Sequence, residues 1–264
     1  MMQSELVQKK EAGFSLTLSL NRPEKLNALS GEMIRQLTEE FRKVSADLAA
    51  GKDLRAIVIE SSSPKAFCVG ADLAERQGMN EAQVLETLES LKDLTLALEN
   101  IPVPTIALIR GPAFGGGLEL ALCCDLRVAH ADSLMGLTET RLAIIPGAGG
   151  TQRLTKLVGV AKAKEWILLG SKISASEAER FGLINAVSAN PEDVVATWVA
   201  ELSARGPLAL RAAKQAINLS VDGRVSVESL KVEREAYKKV LQSKDRVEGL
   251  KAFVEKRDPQ YRGE

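Results

Sequence analysis

Thr105-Ile106-Ala107-Leu108-Ile109 leads through Arg110 into Gly111-Pro112-Ala113-Phe114-Gly115-Gly116-Gly117 and then into the apolar run Leu118–Cys124. A short apolar, β-branched run bounded by proline and glycine reads as a buried strand. The glycines read as a loop that opens a helix over Leu118–Cys124, and Leu126-Arg127-Val128-Ala129 reads as the next strand. Strand, helix and strand in quick succession argue for a mostly parallel sheet with crossover helices.

The same alternation extends toward the N-terminus. Ala56-Ile57-Val58-Ile59 is a strand with both faces apolar, ended by Ser61-Ser62-Ser63-Pro64. Asn80 and Gln83 form a capping box for a helix with the stripe Val84, Leu88, Leu91 and Leu98, which Pro102 and Pro104 stop. Phe14–Leu20 alternates strictly and reads as a half-buried strand, ended by Asn21-Arg22-Pro23. Met33, Ile34, Leu37, Phe41, Val44 and Leu48 recur at helical spacing behind Ser30 as N-cap. After about Gly150 the pattern is almost wholly helical: Gln152–Val158, Ala161–Leu169, Ala175–Phe181, Pro191–Ala204, Leu208–Leu219, Val227–Leu241 and Asp245–Glu255. The expected architecture is an α/β core followed by a helical C-terminal region.

Composition narrows the function. The 264 residues carry 35 Lys plus Arg against 35 Asp plus Glu, so no bulk positive field is available for nucleic acid. No apolar stretch approaches the ~20 residues of a membrane span. Met1–Gly13 is polar, without the apolar segment of a signal peptide, so a cytoplasmic protein is expected, a processed organelle chain being the alternative. Cys68, Cys123 and Cys124 form no CxxC pair and read as buried thiols, and with a single histidine no metal site is expected. His130, at a strand end, reads as structural.

Two loops carry the chemistry. Ala56–Ile59 feeds Phe67-Cys68-Val69-Gly70-Ala71-Asp72, and Thr105–Ile109 feeds the glycine loop. Both lie past the carboxyl end of a buried strand, where open α/β sheets bind ligands. Small residues bare backbone N–H groups, and two such groups aimed at one point make an oxyanion hole. A dinucleotide fingerprint fails on spacing, because Leu120 stands where the third glycine belongs, and there is no P-loop. Glycines that merely let helix and strand pack closely are the structural alternative. Glu119 lies in the first turn of an apolar helix, and Glu139 precedes Ile145-Pro146-Gly147-Ala148-Gly149-Gly150. An acid in a first turn also complements the helix dipole, and a loop glutamate is usually exposed. Two carboxylates beside one oxyanion hole would supply a base and an acid for moving water across a bond next to a carbonyl.

These residues resemble the crotonase superfamily, the enoyl-CoA hydratase/isomerase family. The matching segments are Asn21–Leu29, Phe67–Leu73, Phe114–Asp125, Ile145–Leu154 and Ala252–Arg257, in family order over nearly the whole chain. The resemblance implies a ββα spiral core, assigned to residues 1–200, and a helical trimerisation region, assigned to 201–264. The family's usual assembly is a homohexamer of two trimers. The implied oxyanion donors are the N–H groups of Ala71 and Gly116. Glu119 and Glu139 fall where the hydratase branch has its catalytic pair, Glu119 to activate water and Glu139 to protonate Cα.

The implied substrate contacts are Gly70, Asp72 and Leu73 around the first donor, Gly147 beside the acyl pocket, and Lys25, Leu26 and Ala28 at the adenine pocket. Lys65 would lie near the phosphates, and Lys256 would reach a neighbouring subunit's nucleotide. A family lysine is replaced by Ala74, for which Arg76 would substitute. The acyl pocket wall is expected from Gly78–Leu98 and from C-terminal helices. Coenzyme A enters as part of the substrate, so no separate cofactor is implied. Gly70–Arg76, Met135–Thr140 and Asp245–Leu250 look most like methylglutaconyl-CoA hydratases of leucine degradation. That subfamily includes a member that binds AU-rich RNA through a lysine-rich first helix. Here Gly31–Leu48 sets Glu32, Glu39, Glu40 and Asp47 against Arg35, Arg42 and Lys43, so no nucleic-acid partner is expected. An isomerase using the same site, or an RNA-binding scaffold on the same fold, are the alternatives.

Overall fold

A computed structural model describes residues 5–219, 235 and 243–264; apart from Glu235, the helix expected over Val227–Leu241 lies outside the described residues. The chain begins with β1 (Val7–Ala12), β2 (Ser15–Leu20), α1 (Gly31–Ala49), β3 (Ala56–Ser61), α2 (Leu73–Gln77) and α3 (Glu81–Glu99). It continues with β4 (Thr105–Ile109), β5 (Ala113–Phe114), α4 (Gly116–Leu122), β6 (Leu126–His130) and β7 (Leu134–Gly136). The remaining elements are α5 (Gly150–Val158), α6 (Val160–Leu168), β8 (Ile173–Ser174), α7 (Ala175–Arg180), β9 (Ala186–Ser188), α8 (Pro191–Ser203), α9 (Pro207–Leu219) and α10 (Lys244–Glu255).

The main sheet has the order β1-β2-β3-β4-β6-β9, parallel throughout except for β1, which pairs antiparallel with β2. A smaller sheet, β5-β7-β8, stands beside the carboxyl ends. Strand alternation splits the interior in two. Ile57, Ile59, Ala107 and Ile109 point into the main core with Met33, Leu37 and Phe41 of α1 and Leu94 and Leu98 of α3. Val58, Ile106, Leu108 and Val128 point the other way, under Val195 of α8. Full burial of each of the larger side chains among these contributes ~1.5–3 kcal/mol. Ser30 caps α1, its Oγ accepting from Met33 N, and Asn80 with Gln83 closes the capping box of α3.

Elements absent from the sequence reading are the short or one-sided ones. β1 buries only Val7, and β5 and β8 are two residues each, so neither alternation nor an apolar run marks them. The stretch after Gly150 is accordingly not purely helical, because β8 and β9 interrupt it. The glycine-loop helix also begins earlier than expected, at Gly116, because the glycines enter its first turn. Among the described residues no helix is long and apolar enough to cross a membrane.

The two carboxyl-end loops are sewn together by backbone bonds. Phe67 N and Cys68 N donate to Pro112 O at 3.0 and 3.2 Å, and Phe114 N donates to Cys68 O at 3.0 Å. On the other side, Leu29 N donates to Gly70 O at 2.8 Å and Asp72 N to Leu29 O at 3.0 Å. Asn27, fully buried, ties this layer to β3. Its Nδ2 donates to Ser61 Oγ at 2.7 Å and Phe67 O at 3.0 Å, while Oδ1 accepts from Arg22 N at 2.8 Å. Asn27→Ala leaves those buried groups unsatisfied, so urea unfolding should show a loss of about 2 kcal/mol or more. Unchanged stability would mean that Asn27 does not hold the layer.

Candidate active site

The N-terminus of α4 is pressed against the first loop. A Cβ on Gly117 would stand 2.1 Å from Cys68 O, a separation no side chain tolerates, so this helix turn accepts only glycine. The contact brings Gly116 beside Ala71: a Cβ on Gly116 would lie 3.8 Å from Ala71 N. Gly116 N is in the first turn of α4 and has no intrahelical partner. Ala71 N faces away from Leu29, the residue it bridges, whose bonds run to Gly70 and Asp72. Among the described residues neither N–H has a hydrogen-bond partner. Both residues line one cavity of about 310 Å³.

Glu119 projects into the same cavity from α4 and is only 2% exposed. Its Oε1 accepts from Ala148 N and Gly150 N, each at 2.8 Å. Gly150 is the first residue of α5, so the carboxylate also caps that helix, where the dipole favours negative charge. Burial pushes the Glu119 carboxyl above its ordinary range, opposed by these two donors and by the positive charges of Arg153 and Arg76.

Glu139 starts the 3-10 turn Glu139–Leu142. Contrary to the usual exposure of loop glutamates, it is half-buried, and a Cβ on Gly115 would stand 3.2 Å from its Oε1. Its Oε2 is buried without a partner among the described residues. Burial pushes this carboxyl up to about 7, and the nearby charge of Glu119 adds to the rise. The two acids therefore differ: Glu119 is held by N–H donors and cations, whereas Glu139 has almost nothing to stabilise its charge.

Of the other expected site residues, Leu73, Arg76 and Gly147 also line the cavity. Gly147 packs on Leu88 of α3, where a Cβ would come within 2.5 Å of Leu88 Cδ2. Gly70 is buried behind Phe114 O. Asp72 turns inward instead, capping α2 through Ala74 N and Glu75 N and pairing with Arg22 Nη1 at 2.7 Å. Arg22 holds the Asp72 carboxyl below its ordinary range. Ala28 is buried, its carbonyl accepting from Arg22 Nη1 at 3.0 Å. Lys25, Leu26 and Lys65 are exposed beside the first loop, and Lys256 is exposed just past α10; none of them lines the cavity. The cavity's helical wall comes from Leu88 and Leu91 of α3, and no described C-terminal helix lines it.

Three residues escaped the sequence reading. Arg153 Nη1 donates to Ala148 O at 2.7 Å, and its Nη2 pairs with Glu99 at 2.7 Å, clamping the loop that holds Glu119 to the end of α3. Arg141 and Lys172 line the cavity on the Glu139 side. For Arg141, a cation two residues past a candidate acid was the one available signal. His130 Nδ1 accepts from Asp132 N in a local turn outside the cavity. The three cysteines are buried thiols. No group of three or more His, Cys, Asp or Glu among the described residues is placed to hold a metal ion.

A sequence model of the family described as enoyl-CoA hydratase/isomerase matches residues 12–264. A mitochondrial methylglutaconyl-CoA hydratase of Homo sapiens is 42% identical over 255 residues, covering 94% of this chain and 74% of that protein. The enoyl-CoA isomerase/hydratase fer4 of Mycosarcoma maydis is 40% identical over 255 residues, covering 93% and 92%. The crystal structure of an enoyl-CoA hydratase from Bacillus anthracis superposes with a TM-score of 0.93 at 41% identity, covering 98% of this chain and all of that one. The chain belongs to the enoyl-CoA hydratase/isomerase family and has its α/β fold.

The burial of Glu139 has a direct readout. Its carboxyl should be neutral below, and ionised above, a midpoint near pH 7. Carbon NMR of labelled glutamate, with Glu139→Gln to assign the signal, measures it. A midpoint at about 4–5, the ordinary carboxylate range, contradicts the site as described.

Proposed function

We propose that the chain adds water reversibly across the 2,3 double bond of a short or branched 2-enoyl-CoA thioester, with 3-methylglutaconyl-CoA the preferred candidate. The observation that carries this reading is the convergence of Ala71, Gly116, Glu119 and Glu139 on one cavity. The thioester oxygen would accept from Ala71 N and Gly116 N. Glu119, the acid better held as a carboxylate, takes a proton from water as its oxygen bonds to Cβ. The double-bond electrons pass to Cα and the thioester oxygen, and the two N–H groups stabilise the resulting enolate. Glu139, which burial leaves partly protonated near pH 7, gives its proton to Cα and the thioester carbonyl re-forms. One water is added, and the proton on Glu119 returns to Glu139 through exchange before the next turnover.

An isomerase needs one carboxylate to carry a proton between carbons, so the second acid, held by two N–H groups, favours hydration. The methylglutaconyl assignment draws support from the matching segments and from relatives of that name at 42% identity. Lys25, Leu26 and Lys65, exposed beside the first loop, would meet the coenzyme A carrier, and Lys256 would meet a neighbouring subunit's nucleotide. No cofactor beyond the substrate's own coenzyme A is invoked. The exposed Leu168 and Leu169, 68% and 67% accessible, support burial between copies of the chain in a homohexamer.

Glu119→Gln and Glu139→Gln should each lower kcat on a 2-enoyl-CoA by ~10²–10⁴. The double variant should lose less than the product of the singles, because both acids act on one water. Steady-state hydration of crotonyl-CoA and 3-methylglutaconyl-CoA checks this. A Glu139→Gln protein as fast as the parent on both would sink the two-carboxylate mechanism.

A further inference from the structure

Glu99 and Arg153 do not line the cavity that holds the two glutamates; both line a separate groove of about 510 Å³. They are matched fork to fork. Arg153 Nε donates to Glu99 Oε1 at 3.2 Å, and Nη2 donates to Oε2 at 2.7 Å. The remaining arm, Nη1, donates to Ala148 O at 2.7 Å. Three bonds leave the guanidinium one orientation, which a lysine ammonium on a flexible stem could not keep. The Arg153 side chain is 14% accessible, so its end of the pair is shielded as surface pairs are not. Glu99 ends α3, and an acid there faces the unfavourable end of the helix dipole, so α3 itself does not account for it.

The loop between Arg153 and Glu119 is gripped from both sides. Gly149 has a φ of +92°, and a Cβ on it would stand 2.2 Å from Arg153 Nη1. Ala148 turns its carbonyl to Arg153, while Ala148 N and Gly150 N donate to Glu119 Oε1 at 2.8 Å each. Gly147 packs on Leu88 of α3, so α3 holds this loop at two points, Leu88 and Glu99. Among the described residues Arg153 forms no ion pair with Glu119, and it acts on that acid through the loop and through its charge. The other charged or titratable groups around Glu119 are Arg76 of α2, Glu139 of the 3-10 turn and, on α4 itself, the Cys123 thiol, which burial keeps neutral. α3 lines the cavity with Leu88 and Leu91 alone.

We infer that Arg153, anchored by Glu99, is a positioning residue for hydration: it holds the Ala148–Gly150 loop in the shape that aims Glu119 at the water and keeps that acid the base. The inference rests on the hydratase reading above and adds to it two residues that touch no substrate.

Steady-state kinetics on crotonyl-CoA across pH test it. Arg153→Met should lower kcat roughly 10- to 100-fold with KM nearly unchanged, the scale of a reacting group misplaced by about 1 Å. The acidic limb of kcat/KM reports ionisation of the base. Losing the Arg153 charge removes one of the two cations that favour ionised Glu119, so that limb should move to higher pH. Arg153→Lys keeps the charge without the fork, so it should return the limb and recover part of kcat. Glu99→Gln leaves the Arg153 charge but loosens its anchor, so kcat should fall with no upward move of the limb. An Arg153→Met loss carried by KM, or one with the limb unmoved, would mean a structural role only and overturn the inference. Parental kcat in Glu99→Gln overturns it whether or not Arg153→Met folds. If the parent hydrates no enoyl-CoA, the hydratase reading fails. Carbon NMR titration of labelled glutamate, with Glu119→Gln to assign the signal, then tests the pair by itself. A Glu119 midpoint raised in Arg153→Met supports the inference, and an unmoved one overturns it.

Discussion

The contact between Gly117 and the Cys68 carbonyl sets the geometry on which the site depends. It lets the α4 N-terminus dock on the loop after β3, and everything chemical in the cavity follows from that docking. Gly116 is brought beside Ala71, Glu119 is carried into the cavity one turn on, and Gly115 is set against Glu139. The loop would not withstand that pressure alone. It is held between Leu29 and Pro112 by backbone bonds, and Asn27 pins the layer to the end of β3. The sheet acts as the frame, and the parallel arrangement puts both loops at its carboxyl edge.

Within that frame the surroundings of the two carboxyls differ. Both carboxyls are pushed upward by burial, but Glu119 meets two N–H donors from the Ala148–Gly150 loop, the start of α5 and two cations, whereas Glu139 has only its own backbone N–H. Glu139 is left with an unpartnered oxygen and a like-charged neighbour. Environments that separate two acids assign one as base and one as acid. Glu99 and Arg153 matter to this division from outside the cavity, since they fix the Ala148–Gly150 loop on which Glu119 rests.

The fold was largely legible in the sequence, because long periodic elements announce themselves. The helical stripe from Met33 to Leu48, the capping box at Asn80 and the buried strand Thr105–Ile109 all stand where periodicity puts them. β1 was not, since a strand with one buried residue has no pattern to read. The small sheet was not, since strands of two or three residues are held by neighbours distant in the chain. In the site, Glu119 and the glycine loop were visible from local composition. That Glu139 shares their cavity could come only from resemblance, because nineteen residues and two strands, β6 and β7, separate it from Glu119. Asp72 shows the opposite limit: a motif position beside the proposed oxyanion donor spends its carboxylate on Arg22 and a helix cap. Arg141 and Lys172 come to one cavity only through tertiary packing, which no spacing along the chain records.

The most direct measurement is a crystal structure with butyryl-CoA, a saturated thioester that cannot be hydrated. The thioester oxygen should lie about 2.7–3.1 Å from both Ala71 N and Gly116 N, the separation expected for an oxyanion hole. A water should bridge the carboxyls of Glu119 and Glu139 on one face of Cα and Cβ. A thioester oxygen seated away from those two N–H groups, or carboxyls facing no common water, would contradict the mechanism.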